Sequence, residues 1–248
     1  MARVTIPAKL RPLLRRLGDI ADEQGMAAYA VGGCVRDWLL RRGGADSDLD
    51  IAVEGNGLAF ARAAARALEA AATVHEQFGT ATLMVPGSPA RRIDVATCRR
   101  ETYAKPAAYP RVTPGTLRDD LFRRDFTINA MAAALNRARF GRLIDPFGGA
   151  RDLRRRRLRV LHPRSFEDDP SRILRGIRFL TRFGFEWEPE TERAARAAMA
   201  AGAIGWLNTG RLRKELDRIA AEGKPRACLE KFAILSVRAR PGRARRGA

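Results

Sequence analysis

The residues from Tyr29 to Val53 read YAVGGCVRDWLLRRGGADSDLDIAV and leave the chain few ways to fold around them. A short apolar run ends in Gly32 and Gly33, a basic amphipathic segment begins at Arg36, and a second apolar run alternates Leu49, Ile51 and Val53 with Asp48 and Asp50. Alternation of period two belongs to a strand, so both carboxylates leave one sheet face. Two acids side by side repel, and the most economical partner for them is a divalent metal ion. The glycine pair allows a backbone to approach phosphate closely, and the helix that follows aims its N-terminus and Arg36 at the same place. Alone, Gly32 and Gly33 read more readily as a plain tight turn. Together with Arg36 and the two acids they imply nucleotide chemistry.

Around this stretch the pattern predicts an α+β head. Residues 7–24 carry Leu10, Leu13, Leu14, Leu17 and Ile20 at helical spacing. A strand is expected over 27–31, a helix over 35–42 ended by Gly43 and Gly44, a strand over 48–53 and a helix over 57–71. Three apolar runs at 73–78, 80–85 and 91–97 read as strands, with PGSP at 86–89 as a hairpin loop. In the last run, RRIDVAT, Asp94 either reaches the face that bears Asp48 and Asp50 and completes a two-metal site, or is a solvent-facing acid; alternation fixes its parity and not its face.

Residues 99–118 contain three prolines and no period, and read as an exposed loop of the kind that carries function. A short helix is expected over 127–136, entered through Arg123, Arg124 and Asp125, and a strand over 140–144. After the basic run RDLRRRRLR the period changes and strands disappear. Residues 170–183 set Ile173, Leu174, Ile177, Leu180 and Phe183 on one stripe, with Arg172, Arg175, Arg178 and Arg182 outside it. Three more helices are expected over 189–201, 210–222 and 226–235. The division is therefore a head over 1–160, an all-helical second domain over 161–236, and a disordered basic tail over 237–248.

At 248 residues, 46% of them apolar, the chain is long enough to bury a sizeable core. Lys and Arg number 47 against 28 Asp and Glu, a formal charge of +19, which suits a polyanionic partner such as RNA, although an Arg-rich and Ala-rich composition also follows from a GC-rich genome. Cys34, Cys98 and Cys228 lie in no paired spacing and only His75 and His162 accompany them, which argues against a zinc site or a disulfide framework. The N-terminus lacks a signal-peptide core, and no run approaches the roughly 18 apolar residues of a membrane span. A cytoplasmic protein without membrane contact is expected.

Five motifs then stand in register: GGCVRD at 32–37, DLD at 48–50, RRDFTINAMA at 123–132, LIDPFGG at 143–149 and DDPSRILRGIRF at 168–179. In this order and spacing, from about Leu10 to about Phe232, the chain resembles the bacterial (class II) tRNA nucleotidyltransferase and poly(A) polymerase family, within the polymerase-β-like nucleotidyltransferases. The resemblance implies a head with a mixed or antiparallel sheet followed by an all-α neck. It also implies template-independent addition of CMP or AMP from CTP or ATP to the 3′ end of tRNA or another RNA, with Mg²⁺ at a two-metal site.

By the same resemblance Asp48 and Asp50 are the metal pair, Gly33 and Arg36 hold phosphates beside Gly32, and Arg124 contacts the nucleotide with Asp125 and Asn129 on the ribose side. Asp169 and Arg172 would read the base edge, with Arg175 and Arg178 at the triphosphate. The bland alternatives are an N-cap for Asp169 before Pro170 and a solvated helix face for the arginines. Members of the family usually continue past the neck into helical body and tail domains, whereas here the likeness stops after Phe232, so a C-terminally truncated chain is expected. Asp168, where many relatives have Glu, and the ETYAKPAAYP loop resemble the A-adding or CC-adding subgroup. Poly(A) polymerase and an RNA-binding remnant without turnover are the competing readings, and the sequence does not set the oligomeric state.

Overall fold

The computed structural model describes residues 2–42, 48–87 and 90–239. In chain order the strands are β1 (Ala27–Val31), β2 (Leu49–Glu54), β3 (Ala71–His75), β4 (Thr80–Val85), β5 (Arg91–Thr97), β6 (Arg99–Thr102), β7 (Arg111–Pro114), β8 (Ala132–Ala134), β9 (Leu143–Ile144), β10 (Arg157–Leu158) and β11 (Glu186–Trp187). The helices are α1 (Arg11–Glu23), α2 (Gly33–Leu39), α3 (Gly57–Ala67), α4 (Leu117–Phe122), α5 (Gly149–Arg154), α6 (Ser165–Asp168), α7 (Ser171–Phe183), α8 (Pro189–Ala200), α9 (Thr209–Ala220) and α10 (Pro225–Ala239). The class is α+β, as the alternating and helical periods required.

The described residues form two units. One runs to Glu101 and resumes over Val112–Leu153; the other combines Thr102–Arg111 with the chain from Arg154. The second unit thus starts a few residues before position 160 and takes in part of the proline-containing loop. Helix α10 continues to Ala239, so the tail expected from residue 237 opens inside a helix; residues 240–248, the helix stop at Gly43 and Gly44, and Ser88 and Pro89 of the hairpin loop lie outside the described residues.

In the first unit a seven-stranded sheet runs β3-β4-β5-β2-β1-β8-β9. Its pairs are antiparallel except β2 with β5, which are parallel and register Leu49 with Ile93, Asp50 with Asp94 and Ile51 with Val95. Leu49, Ile51, Val53, Ile93 and Val95 are buried, while the opposite parity brings out Asp50 and Asp94. Helices α1 and α3 pack against this sheet and each other, with Leu14, Leu17 and Ile20 of α1 buried along with Leu10 just before it.

Two expectations fail here for physical reasons. The helix expected over 127–136 is a single 3-10 turn, Thr127–Asn129, followed by strand β8. Alanine prefers helix, but Ala132–Ala134 pair with β1 on one side and with β9 on the other and are wholly buried, so sheet pairing outweighs propensity. Small side chains also let α1 sit close, since a Cβ on Gly18 would collide with the Leu135 carbonyl. The irregular loop expected over 99–118 contains the β6-β7 ribbon and α4, whose start is fixed by a capping box between Thr116 and Asp119.

The second unit is mainly helical, and α10 packs on α7 and α8 while α7 packs on α9. Strands do not vanish from it, because β10 and β11 make a two-residue parallel pair, Arg157 with Glu186 and Leu158 with Trp187. Among the described residues no helix is long and apolar enough to cross a membrane.

Candidate active site

Gly32 closes β1 with φ +75 and ψ −127, a conformation that disfavours any side chain. A Cβ there would stand 2.5 Å from Arg124 Nη1, so the turn is glycine because an arginine head lies against it. Helix α2 starts at Gly33, two residues earlier than the pattern predicted. Arg36, one turn in, is buried; its Nη1 donates to Asn129 Oδ1 at 2.6 Å, and its Nε and Nη2 donate to Asp37 at 2.8 and 3.0 Å. Asn129 Nδ2 donates to Asp125 Oδ1 at 2.9 Å, and the same oxygen accepts the Phe126 N–H at 2.8 Å.

Arg124 donates through Nη2 to Asp120 Oδ2 at 3.0 Å, while its Nε is buried with no hydrogen-bond partner. Asp120 is also held by Arg123 at 2.6 and 2.9 Å. Burial presses the Asp120 pKa upward, but Arg124 and Arg123 outweigh it and hold the carboxyl below the ordinary carboxylate value. Cys34, whose Sγ donates to the Val31 carbonyl at 3.3 Å, is pushed up to about 12 by burial, which makes it an inert thiol.

The parallel register places Asp94 beside Asp50 on one face, with Asp48 one residue before β2 begins. Although Asp50 is exposed at its strand position, protein crowded around its carboxylate raises its pKa; Arg124 opposes the rise, and Asp94 and Asp48 add to it. Carboxylate oxygens brought together in this way suit a hard divalent cation. Asp94, however, is already engaged: it accepts from Thr82 Oγ1 at 2.6 Å and from Arg92 Nε at 3.0 Å. Among the described residues no three acids, histidines or cysteines form a ready metal cluster.

The remaining candidates lie in the second unit. Asp169 Oδ1 accepts the Ser171 N–H at 3.0 Å and the Ser171 hydroxyl at 2.5 Å, so it secures the start of α7 as a capping acid would. Arg211 of α9 reaches the same oxygen at 2.5 Å. Arg172 is buried and donates to Ser165 Oγ at 2.6 Å. Arg178 is buried between Glu222 at 3.0 Å and Glu215 at 3.3 Å, and Arg175 lies over the Phe179 ring at 5.8 Å. Arg172 and Arg178 thus depart from the solvated face that helical spacing suggested.

Several partners of these residues were not foreseen from the sequence. Arg92 shares the parity of Asp94, and Asp120 stands one helical turn before Arg124, so both left a local signal. Thr82 and Arg211 left none, because sheet pairing and helix packing bring them in.

The sequence profile described as Poly A polymerase head domain matches residues 28–159, which hold every candidate of the first unit. The chain belongs to this head-domain family. Its curated relatives include the A-adding tRNA nucleotidyltransferase of Geobacter sulfurreducens, 43% identical over 220 residues, which cover 89% of this chain and 24% of that protein. Among solved structures, a CCA-adding enzyme in apo form II superimposes with TM-score 0.88 at 42% identity, covering 96% of this chain and 58% of that one. A tRNA nucleotidyltransferase complexed with a primer tRNA and an incoming ATP analog superimposes with TM-score 0.79 at 41% identity, covering 89% and 60%. The chain therefore spans about a quarter of the first relative and about three-fifths of the two solved chains. Within the head domain, DLD supplies Asp48 and Asp50, RRIDVAT supplies Asp94, and RRDFTINAMA supplies Arg124.

Proposed function

We propose that this chain carries the catalytic head of an RNA nucleotidyltransferase that adds AMP or CMP, from ATP or CTP, to the 3′ end of tRNA. The observation that carries the reading is the meeting, in one unit, of the Asp50 and Asp94 strand pair with Arg124, whose charge is the strongest single pull on Asp50. Mg²⁺ held by Asp48 and Asp50 would lower the pKa of the RNA hydroxyl and neutralise charge on the departing pyrophosphate. Arg36, kept rigid by Asn129, and Arg124 would bind phosphoryl oxygens and stabilise the charge that grows on them. Asp125 and Asn129, joined to each other, would face the ribose, and Gly32 and Gly33 would let backbone approach the phosphates.

Base choice is assigned to Asp169 and Arg172, an acceptor and a planar donor fork that suit the polar edge of adenine or cytosine. Rejection of other bases then comes from polar groups left unpaired. Arg175 is the arginine of α7 assigned to the triphosphate, since both sides of Arg178 are taken by carboxylates. Similarity to A-adding relatives favours AMP as the added unit. Product length tests the reading against poly(A) synthesis: an RNA extended by one to three residues supports it, and a long homopolymer replaces it.

A further inference from the structure

Arg92 is out of place in a strand pair built to hold a cation. It shares the parity of Asp94 on β5, and the β2-β5 register, extended by one residue beyond Leu49 and Ile93, sets it level with Asp48. Its Nε lies 3.2 and 3.0 Å from the two Asp94 oxygens and its Nη2 lies 3.1 Å from Oδ1, which Thr82 also binds. Both oxygens of the third carboxylate are therefore spoken for. A guanidinium at this point repels the divalent ion that Asp94 would attract. Unlike the buried Arg36, Arg92 has half of its side chain in solvent (51%) and is free to change rotamer.

We propose that Arg92 is a displaceable counter-ion, which occupies Asp94 in the nucleotide-free protein and transfers to the polyphosphate of the incoming nucleotide when Asp94 turns to a metal ion. The inference rests on Asp48 and Asp50 being metal ligands, as the proposed function has them. Before nucleotide binds, the site offers two carboxylates and a cation; afterwards it offers three carboxylates, and the guanidinium fork meets phosphate oxygens in a geometry it matches bidentately. No group is consumed, and only ion pairs are exchanged. Metal and nucleotide then bind with positive coupling, and each strengthens the other by the same factor.

Titration of Mn²⁺ alone into the protein, followed by Mn²⁺ in the presence of a non-hydrolysable ATP analogue, measures this coupling directly. Arg92→Gln is expected to bind Mn²⁺ about threefold tighter than wild type without nucleotide, the size of one exposed ion pair. The extra tightening brought by the analogue should shrink in the same variant. Arg92→Lys, which keeps the charge, should stay near wild type. In an Asp94→Asn background the effect of Arg92→Gln should shrink to its direct repulsion of the ion, because the group it competes for is gone. Unchanged or weaker Mn²⁺ binding by a folded Arg92→Gln overturns the inference alone, provided that Asp48→Asn abolishes Mn²⁺ binding. Absence of Mn²⁺ binding from both wild type and Arg92→Gln overturns the metal reading together with it.

Discussion

Arg36 Nη1 donates to Asn129 Oδ1 across 2.6 Å and joins residues 93 positions apart. The bond ties the first turn of α2 to the RRDFTINAMA segment, and Asp125 holds Asn129 from the other side at 2.9 Å. Asn129→Ala removes this buried hydrogen bond from a charged donor, worth about 1.5–3 kcal/mol. With Arg36 no longer held toward the phosphates, the KM for nucleotide should rise about tenfold, a loss of about 1.4 kcal/mol of binding. Nucleotide titration of the folded variant checks it.

Gly32→Ala should be worse for binding than for folding. The φ +75, ψ −127 backbone costs a side chain about 1–3 kcal/mol, and the new Cβ meets the Arg124 head, which has to shift from its place against the turn. A Tm lowered by a few degrees, with nucleotide affinity reduced well beyond that of Gly33→Ala, is expected from paired melting and binding curves.

Arg178 separates a structural role from a binding one. Its side chain is 11% exposed and pairs with Glu215 and Glu222, which are 5% and 7% exposed. Arg178→Met leaves Glu215 to Arg218 and Glu222 to Arg182, so the loss should fall below the roughly 3–5 kcal/mol of a buried pair whose remaining charge has no other partner. Urea unfolding should show that loss, whereas Arg175→Met should unfold close to wild type and reveal its effect in nucleotide binding instead.

Acid should weaken the start of α4 through Asp119. Arg100, then the Thr116 backbone and hydroxyl, hold this carboxyl at about 2 against an ordinary 3.8. A depressed folded pKa contributes stability that is complete above the ordinary value and is lost as pH falls from 3.8 toward 2. The Tm gap between wild type and Asp119→Ala, about 2 °C for one lost cap at neutral pH, should narrow across that window.

The α/β alternation of the first unit was legible because each strand carries its own signal: 27–31, 80–85 and 91–97 coincide with β1, β4 and β5. The helical unit was legible for the same reason. What failed was governed from a distance. Ala132–Ala134 read as helix because nothing local says that β1 and β9 will flank them, and β6 and β7 hide behind prolines. In the site, the parity of Asp94 was visible, but its engagement by Thr82 needed the β4-β5 pairing, Thr82 opposite Asp94, to be known. Likewise the arginine row of α7 was plain, while the burial of Arg172 and Arg178 depended on Ser165, Glu215 and Glu222.

The most direct measurement is incorporation of labelled ATP and CTP, tested separately with Mg²⁺, into tRNAs that end at successive positions of the CCA terminus. Catalysis by the Asp48 and Asp50 metal site predicts addition of one to three residues, abolished by chelation of the metal and reduced at least about a thousandfold in Asp48→Ala and Asp50→Ala, a barrier of about 4 kcal/mol. No labelled RNA with any acceptor, or labelling that survives both substitutions, would contradict it.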